Sequence, residues 1–241
     1  MKKNIVYLFA HQDDEFGVYI DISNKIKNNN VYIVFLTSGY NKKIFKSKIS
    51  KRDKESLAVL KKIGIKKKNI YFLGKELNIN CNKLYLKINQ AYTKLIKLMK
   101  DNKPDQIVTT AWEGGHEDHD ACNLIARKIA IKFKIIKNSK EFSLYNAYSN
   151  NLIYFKVFNP IKKGKIIKAS FFKRIIYILY LFYYKSQLKI WIGLYPFIIY
   201  HYLFIGHNYM QPLNRSKKIT KPHKGKILYE IRNFCRFEVF K

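Results

Sequence analysis

Ile5-Val6-Tyr7-Leu8-Phe9-Ala10-His11-Gln12-Asp13-Asp14-Glu15 is the stretch on which the fold turns. Six apolar residues, mostly β-prone, run straight into a histidine and three carboxylates, without the alternation of a half-solvated strand. A continuous run of that length suits a strand buried on both faces, as parallel sheets require. It is too short for the hydrophobic region of a signal peptide, and no small-residue cleavage site follows. The expectation is a first core strand that presents charge at its carboxyl end, in a chain that stays in the cytoplasm, either free or peripheral at the membrane.

Working outward from that strand, the first 135 residues alternate between short apolar runs and helical stretches. Strands are expected at Ile5–Ala10, Val31–Thr37, Asn69–Leu73 and Gln106–Trp112, and helices near Phe16–Lys27, Ser47–Ile63, Lys87–Lys100 and Glu117–Phe133. Leu57, Leu60 and Ile63 recur at helical spacing, and Gly64 follows as a C-cap. The alternation predicts an α/β fold: a Rossmann-like, mostly parallel sheet with helices on both faces and ligands at the carboxyl ends of the strands. Glu141–Ser149 and Leu152–Phe158 read as further strands. The α/β core is therefore drawn over 1–160, and 161–241 is read as a basic, aromatic, helical extension packed on the same domain.

That extension begins with a basic link, Lys162 to Lys168, followed by two apolar runs, Ile175–Tyr184 and Ile190–Ile205, divided by Lys185-Ser186-Gln187-Leu188-Lys189. Neither run reaches the roughly 20 residues that span a bilayer. A buried helix pair is the first reading, and an interfacial segment with Tyr, Trp and Lys at headgroup depth the second. The chain of 241 residues carries Lys+Arg 47 against Asp+Glu 16, a formal net charge of +31. Lysine accounts for most of this excess and is spread throughout, as compositional bias would make it. From Lys156 onward, however, 18 basic residues meet only Glu230 and Glu238. A face so charged concentrates anionic partners, an anionic membrane surface among them. Hydrophobic residues make up 48%, which excludes a disordered chain. The three cysteines, Cys81, Cys122 and Cys235, lack any Cys-x-x-Cys spacing, which excludes a disulfide framework and a thiolate zinc knuckle and fits a reducing compartment.

The scarce acids and histidines show where the chemistry lies. Seven of the 16 acids and three of the six histidines fall in two short windows, 11–15 and 113–120. Packing gives no reason to crowd carboxylates in a lysine-rich chain, whereas a bound cation does. If the chain turns after the first strand, His11 and Asp14 face one point with Asp13 beside them. His116 and His119 lie one turn apart on a helix that follows Gly114-Gly115. Two histidines, a carboxylate and a position left to water make the ligand set of a catalytic zinc site. A lone His-x-x-His or Asp-Asp pair is more often surface decoration or helix capping, but here each sits at an expected strand end.

Ala10-His11-Gln12-Asp13-Asp14-Glu15 resembles the Ala-His-Pro-Asp-Asp-Glu signature of the PIG-L/LmbE-like de-N-acetylases, zinc hydrolases that deacetylate N-acetylglucosamine-type sugars. His116-Glu117-Asp118-His119 resembles their His-Pro-Asp-His, and Arg52-Asp53-Lys54-Glu55 with Ile63-Gly64-Ile65 their Arg-x-x-Glu helix running into Leu-Gly-Val. Tyr184-Lys185-Ser186-Gln187 resembles a late His-x-Ser-Gln element, with Tyr184 in place of the histidine. The two prolines replaced by Gln12 and Glu117 stiffen turns rather than bind metal.

This resemblance implies that His11, Asp14 and His119 hold Zn²⁺, or another divalent metal such as Fe²⁺, and that Asp13 is the general base for an attacking water. Protonated His116 would stabilise the oxyanion and pass a proton to the leaving amine, oriented by Asp118, while Arg52 would hold a substrate oxygen or phosphate. The implied substrate is an N-acetyl amino sugar, free, nucleotide-linked or lipid-linked. The competing reading is a basic nucleic-acid- or membrane-binding protein on an inactive hydrolase fold. No nucleic-acid reader motif accompanies the charge, so no specific nucleic-acid partner is expected. Glu15 would brace a ligand or cap a helix, Tyr40 would line the pocket, and Trp112 would stack on a sugar or pack. His201, His207 and His223 are given no metal role.

Overall fold

β1 (Asn4–Phe9) sits between two parallel neighbours, β2 (Asn30–Phe35) and β4 (Gln106–Thr110), with Leu8 opposite both Val34 and Thr109. The structure, a computed structural model, describes residues 1–40, 50–148, 156–216 and 218–241. β3 (Ile70–Phe72) and β5 (Lys140–Phe142) continue the parallel set, and β9 (His207–Pro212) and β8 (Lys165–Lys168) complete it antiparallel. The order is β3-β2-β1-β4-β5-β9-β8, a mostly parallel sheet of the expected kind. A small second sheet pairs β6 (Tyr145–Asn146) with β7 (Lys156–Val157).

The apolar run of β1 is divided between two cores by the two-residue period of a strand. Ile5, Tyr7 and Phe9 enter one cluster with α1 (Tyr19–Lys25) and α2 (Lys51–Ile63). Val6, Leu8 and Ala10 enter the other with α3 (Leu73–Glu76), α4 (Ile88–Leu98) and α5 (Glu117–Lys132). Helices thus cover both faces. The second helix begins at a reciprocal capping box between Ser50 and Asp53 and ends at Gly64, whose φ of 106° is left-handed; such caps contribute about 1 kcal/mol. Of its expected span, 47–49 lie outside the described residues, as do 149 and 152–155 of the two later strands.

Two expectations for the last third need correction. The basic link is not a linker, because Lys165–Lys168 forms β8 at the sheet edge, where lysines on an exposed strand are tolerated and discourage edge-to-edge pairing. The helix pair forms, but only one of its sides is buried. α6 (Phe171–Leu181) lies antiparallel to α8 (Tyr195–Tyr200) and its one-turn continuation to Ile205: Phe182 stacks on Tyr195, and Arg174 donates to the Leu203 carbonyl. Tyr177, Leu181, Ile198 and Tyr202 reach the core, while Phe172 is 81% and Phe204 72% exposed. α7 (Leu188–Trp191) joins the two helices, and α9 (Leu228–Ile231) returns the tail to the opposite face. Among the described residues no helix is long and apolar enough to cross a membrane.

Sheet order reverses direction between β1 and β4, so the crevice at their carboxyl ends is the topological switch point. Residues 10–15 follow the first of these strands and 111–119 the second.

Candidate active site

The turn after β1 is organised by Asp14. Its Oδ2 accepts the backbone N–H groups of Ala10 at 3.0 Å and His11 at 2.9 Å, which leaves Oδ1 aimed at the crevice. His119 Nε2 approaches Oδ1 at 3.1 Å and His11 Nδ1 at 3.3 Å, and His11 Nδ1 lies 3.6 Å from Oδ1. These edges are close to the roughly 3.3 Å between ligands of a tetrahedral ion with bonds of about 2.0–2.1 Å. Two imidazole nitrogens and a carboxylate oxygen, all buried, therefore fit a zinc-like divalent metal. Burial alone would raise the Asp14 carboxyl, but His119 and His11 outweigh it and hold it well below the usual range.

Asp13 is turned the other way. Its φ of 142° with ψ of −19° is a backbone conformation that costs a non-glycine residue about 1–3 kcal/mol and persists only where neighbours enforce it. Arg52 Nη2 meets Asp13 Oδ1 at 2.9 Å, and Glu15 Oε2 accepts the Asp13 N–H at 2.9 Å. Burial pushes the Asp13 carboxyl up to about 6 against the pull of Arg52. Arg52 also donates to the carbonyls of Gln12 at 3.0 Å and Gly39 at 2.9 Å. Its guanidinium lines the cavity with these donors already engaged by the protein.

Asp118 sits differently from its expected place beside His116. His116 is the N-cap of α5, and its Nδ1 accepts the Asp118 backbone N–H at 3.1 Å, so the neutral ring carries its proton on Nε2. The Asp118 side chain, two residues on and so on another face of the helix, reaches His11 Nε2 at 3.0 Å and accepts the Leu84 N–H at 2.9 Å. It orients a candidate ligand and not the neighbouring histidine. Burial lowers the His116 pKa well below its usual value, with the charges of His11 and His119 adding to the effect. A neutral ring held in this way offers an Nε2–H donor, where the expectation from sequence is a protonated ring.

A cavity of about 600 Å³ opens over these groups. Tyr40 lines it, as expected, together with Asn82, Tyr145, Trp191, Arg232 and Phe234, none of which the sequence singled out for the site. Tyr145 stands edge-on to His119 at 5.4 Å. Its loop is held by Glu113, whose carboxylate accepts from Ser143, Leu144, Tyr145 and Asn146, a clamp signalled only by one more acid in the second window. Trp112 packs against Phe237 and Phe240 away from the cavity. Tyr184 does not reach it either: its hydroxyl donates to Glu15 at 2.6 Å behind Asp13, and burial pushes the Glu15 carboxyl up to about 7. Glu55 of the Arg-x-x-Glu helix accepts from the Ser186 N–H at 2.9 Å and from its hydroxyl, joining two motifs 131 residues apart.

The GlcNAc-PI de-N-acetylase (PIG-L) family profile matches residues 6–130, which contain both windows and the helix between them. Among solved structures, the fold is similar to the N,N'-diacetylchitobiose deacetylase of Pyrococcus horikoshii, with TM-score 0.59, 20% identity, and coverage of 88% of this chain and 83% of that one. It is also similar to the A40926 pseudoaglycone deacetylase, with TM-score 0.58, 14% identity, and coverage of 90% and 99%. A conserved protein of Thermus thermophilus gives TM-score 0.57 and 15% identity, covering 94% and 100%. No curated protein sequence matches.

Proposed function

The chain belongs to the PIG-L family of de-N-acetylases, and on that premise we propose that it hydrolyses the acetamide of an N-acetylglucosamine-like amino sugar, using a divalent metal held by His11, Asp14 and His119. The observation that carries this reading is the set of three ligand atoms, within 4.8 Å of one another, with the Asp13 carboxylate beside them. Zinc, or another divalent metal such as Fe²⁺, supplies Lewis acidity there, lowering the pKa of a bound water towards about 7 and polarising the carbonyl.

The remaining steps belong to the chain's own groups. Asp13 takes the proton of the attacking water, and Arg52 and the Glu15 carboxylate hold Asp13 in its strained conformation. His116 Nε2–H donates to the acetamide oxygen as negative charge develops on it, with Nδ1 fixed by the helix N-terminus. Asp118 fixes the His11 ring so that Nδ1 faces His119 Nε2 and Asp14 Oδ1, with which it would hold the metal. Asp13, having taken a proton, is the group that returns one to the departing amine. Trp191, Tyr145 and Phe234 supply apolar walls suited to the faces of a sugar ring in a cavity of ordinary ligand size. The free thiols of Cys81, Cys122 and Cys235 support action in a reducing compartment, the cytoplasm.

The test is acetate release from a panel of free, nucleotide-linked and lipid-linked N-acetyl amino sugars. Release from at least one, abolished by a chelator and restored by zinc or ferrous iron, is the expected result. Release undiminished by complete removal of metal would overturn the proposal.

A further inference from the structure

α6 is apolar almost all round and carries no acid. A helix of that kind is buried on every side or faces something other than water. One side is accounted for: Tyr177 and Leu181 belong to the core. The other side presents Phe172, Ile176 and Leu179, at 81%, 43% and 56% exposure, as a stripe at helical spacing. The antiparallel partner repeats the pattern, with Ile198 and Tyr202 inward and Tyr200 and Phe204 outward at 57% and 72%. Since both helices press the same core with their inner residues, their outer residues form one continuous apolar face. In the connection between them, Ile192 is 74% exposed and stands between Trp191 and Gly193, which line the cavity, so apolar surface on this connection adjoins the cavity lining in sequence.

Charge selects the occupant. The whole stretch from Phe142 to Tyr229 contains no acidic residue. In sequence, Lys168 precedes α6, Lys173 lies within it, and Lys185 and Lys189 fall between it and α8; Lys168, Lys185 and Lys189 are exposed. A second copy docking here by two-fold symmetry would bring like charges together, which disfavours self-association. Exposed aromatic side chains on helices too short to span, in a segment rich in lysine and free of acids, match what sits at headgroup depth on an anionic bilayer, with the rings among the acyl chains and the ammonium groups on phosphates.

We propose that the α6–α8 face docks this protein on anionic lipid bilayers, with the cavity mouth held at the membrane surface. The inference concerns attachment and not the reaction, so its test involves no turnover. The full chain is sedimented with vesicles of phosphatidylcholine alone and with one-third phosphatidylglycerol. Binding to the anionic vesicles at low salt, weakened several-fold at high salt, is expected. A chain of charge +31 would adhere to such vesicles without any apolar face, so the deciding comparison keeps the charge constant. The triple variant Phe172→Ser, Leu179→Ser, Phe204→Ser should bind roughly tenfold or more weakly, with circular dichroism unchanged. Lys67→Gln with Lys68→Gln, in the turn before β3, should bind almost as the wild type does. Equal binding by the triple variant and the wild type would overturn the proposal, as would absence of binding to anionic vesicles. A dimer in solution that the triple variant abolishes would also overturn it, by giving the face to a second copy.

Discussion

Asp13 and Asp14 are neighbours in sequence, yet their carboxylates meet different partners: Arg52 for the first, two histidines and two backbone N–H groups for the second. That division predicts separable phenotypes. Asp13→Asn keeps the shape and loses the proton acceptor, so kcat should fall by roughly 10²–10⁴ with metal still bound. Asp14→Asn should lose metal at neutral pH, because an amide is a poor ligand. Metal analysis of both variants checks this, and equal metal content would contradict it. At this scale the concentration of rare residue types at two strand ends pointed to the two windows, and the structure brings His11, Asp14 and His119, the trio implied by the family resemblance, within reach of one another. Asp118 was placed wrongly for a local reason, since residues two apart on a helix do not face one another. Tyr145 and Arg232 carry no motif and come to the cavity through tertiary packing, so no spacing pattern pointed to them.

Each candidate residue is only as well placed as the element that holds it. β1, β2 and β4 were legible to within one or two residues because buried parallel strands read as unbroken apolar runs, and α5 to the same margin because Gly114-Gly115 marks the break before it. β8 and β9 were not: Lys-Ile-Ile-Lys reads as a linker, and His-Asn-Tyr-Met-Gln-Pro lacks the apolar alternation of a strand, because its buried positions include Asn208 and Gln211. The junction between β4 and α5 carries the tightest steric demand near the site. A Cβ on Gly115 would overlap the carbonyl oxygen of Tyr145. Gly115→Ala should therefore cost about 1–3 kcal/mol of stability by displacing the Tyr145 loop, read by urea denaturation. A change within 0.5 kcal/mol, roughly the scatter of an innocuous surface substitution, would show that the loop yields freely.

Across the whole molecule, a strongly basic chain buries several of its few carboxylates, and burial has a pH signature. Glu141 on β5 is pushed by burial up to about 7 from 4.5. Its folded pKa lies above its unfolded one, so the folded state binds its proton more tightly. The associated stability is complete below about pH 4.5 and is lost as pH rises through about 7, by roughly 3 kcal/mol. Glu141→Gln should remove that slope and be relatively more stable than the wild type at pH 8, measured as Tm against pH. A slope identical in the two proteins would assign the pH dependence to other groups.

The central claim is that His11, Asp14 and His119 hold the metal on which turnover depends. Titration of metal-stripped protein with zinc, following acetate release from an N-acetylglucosamine-type sugar, tests it most directly. The account predicts activity rising to a plateau at about one equivalent in the wild type, and no rise in His119→Ala. Full activity in the stripped wild-type protein, or a plateau unchanged by His119→Ala, would contradict it.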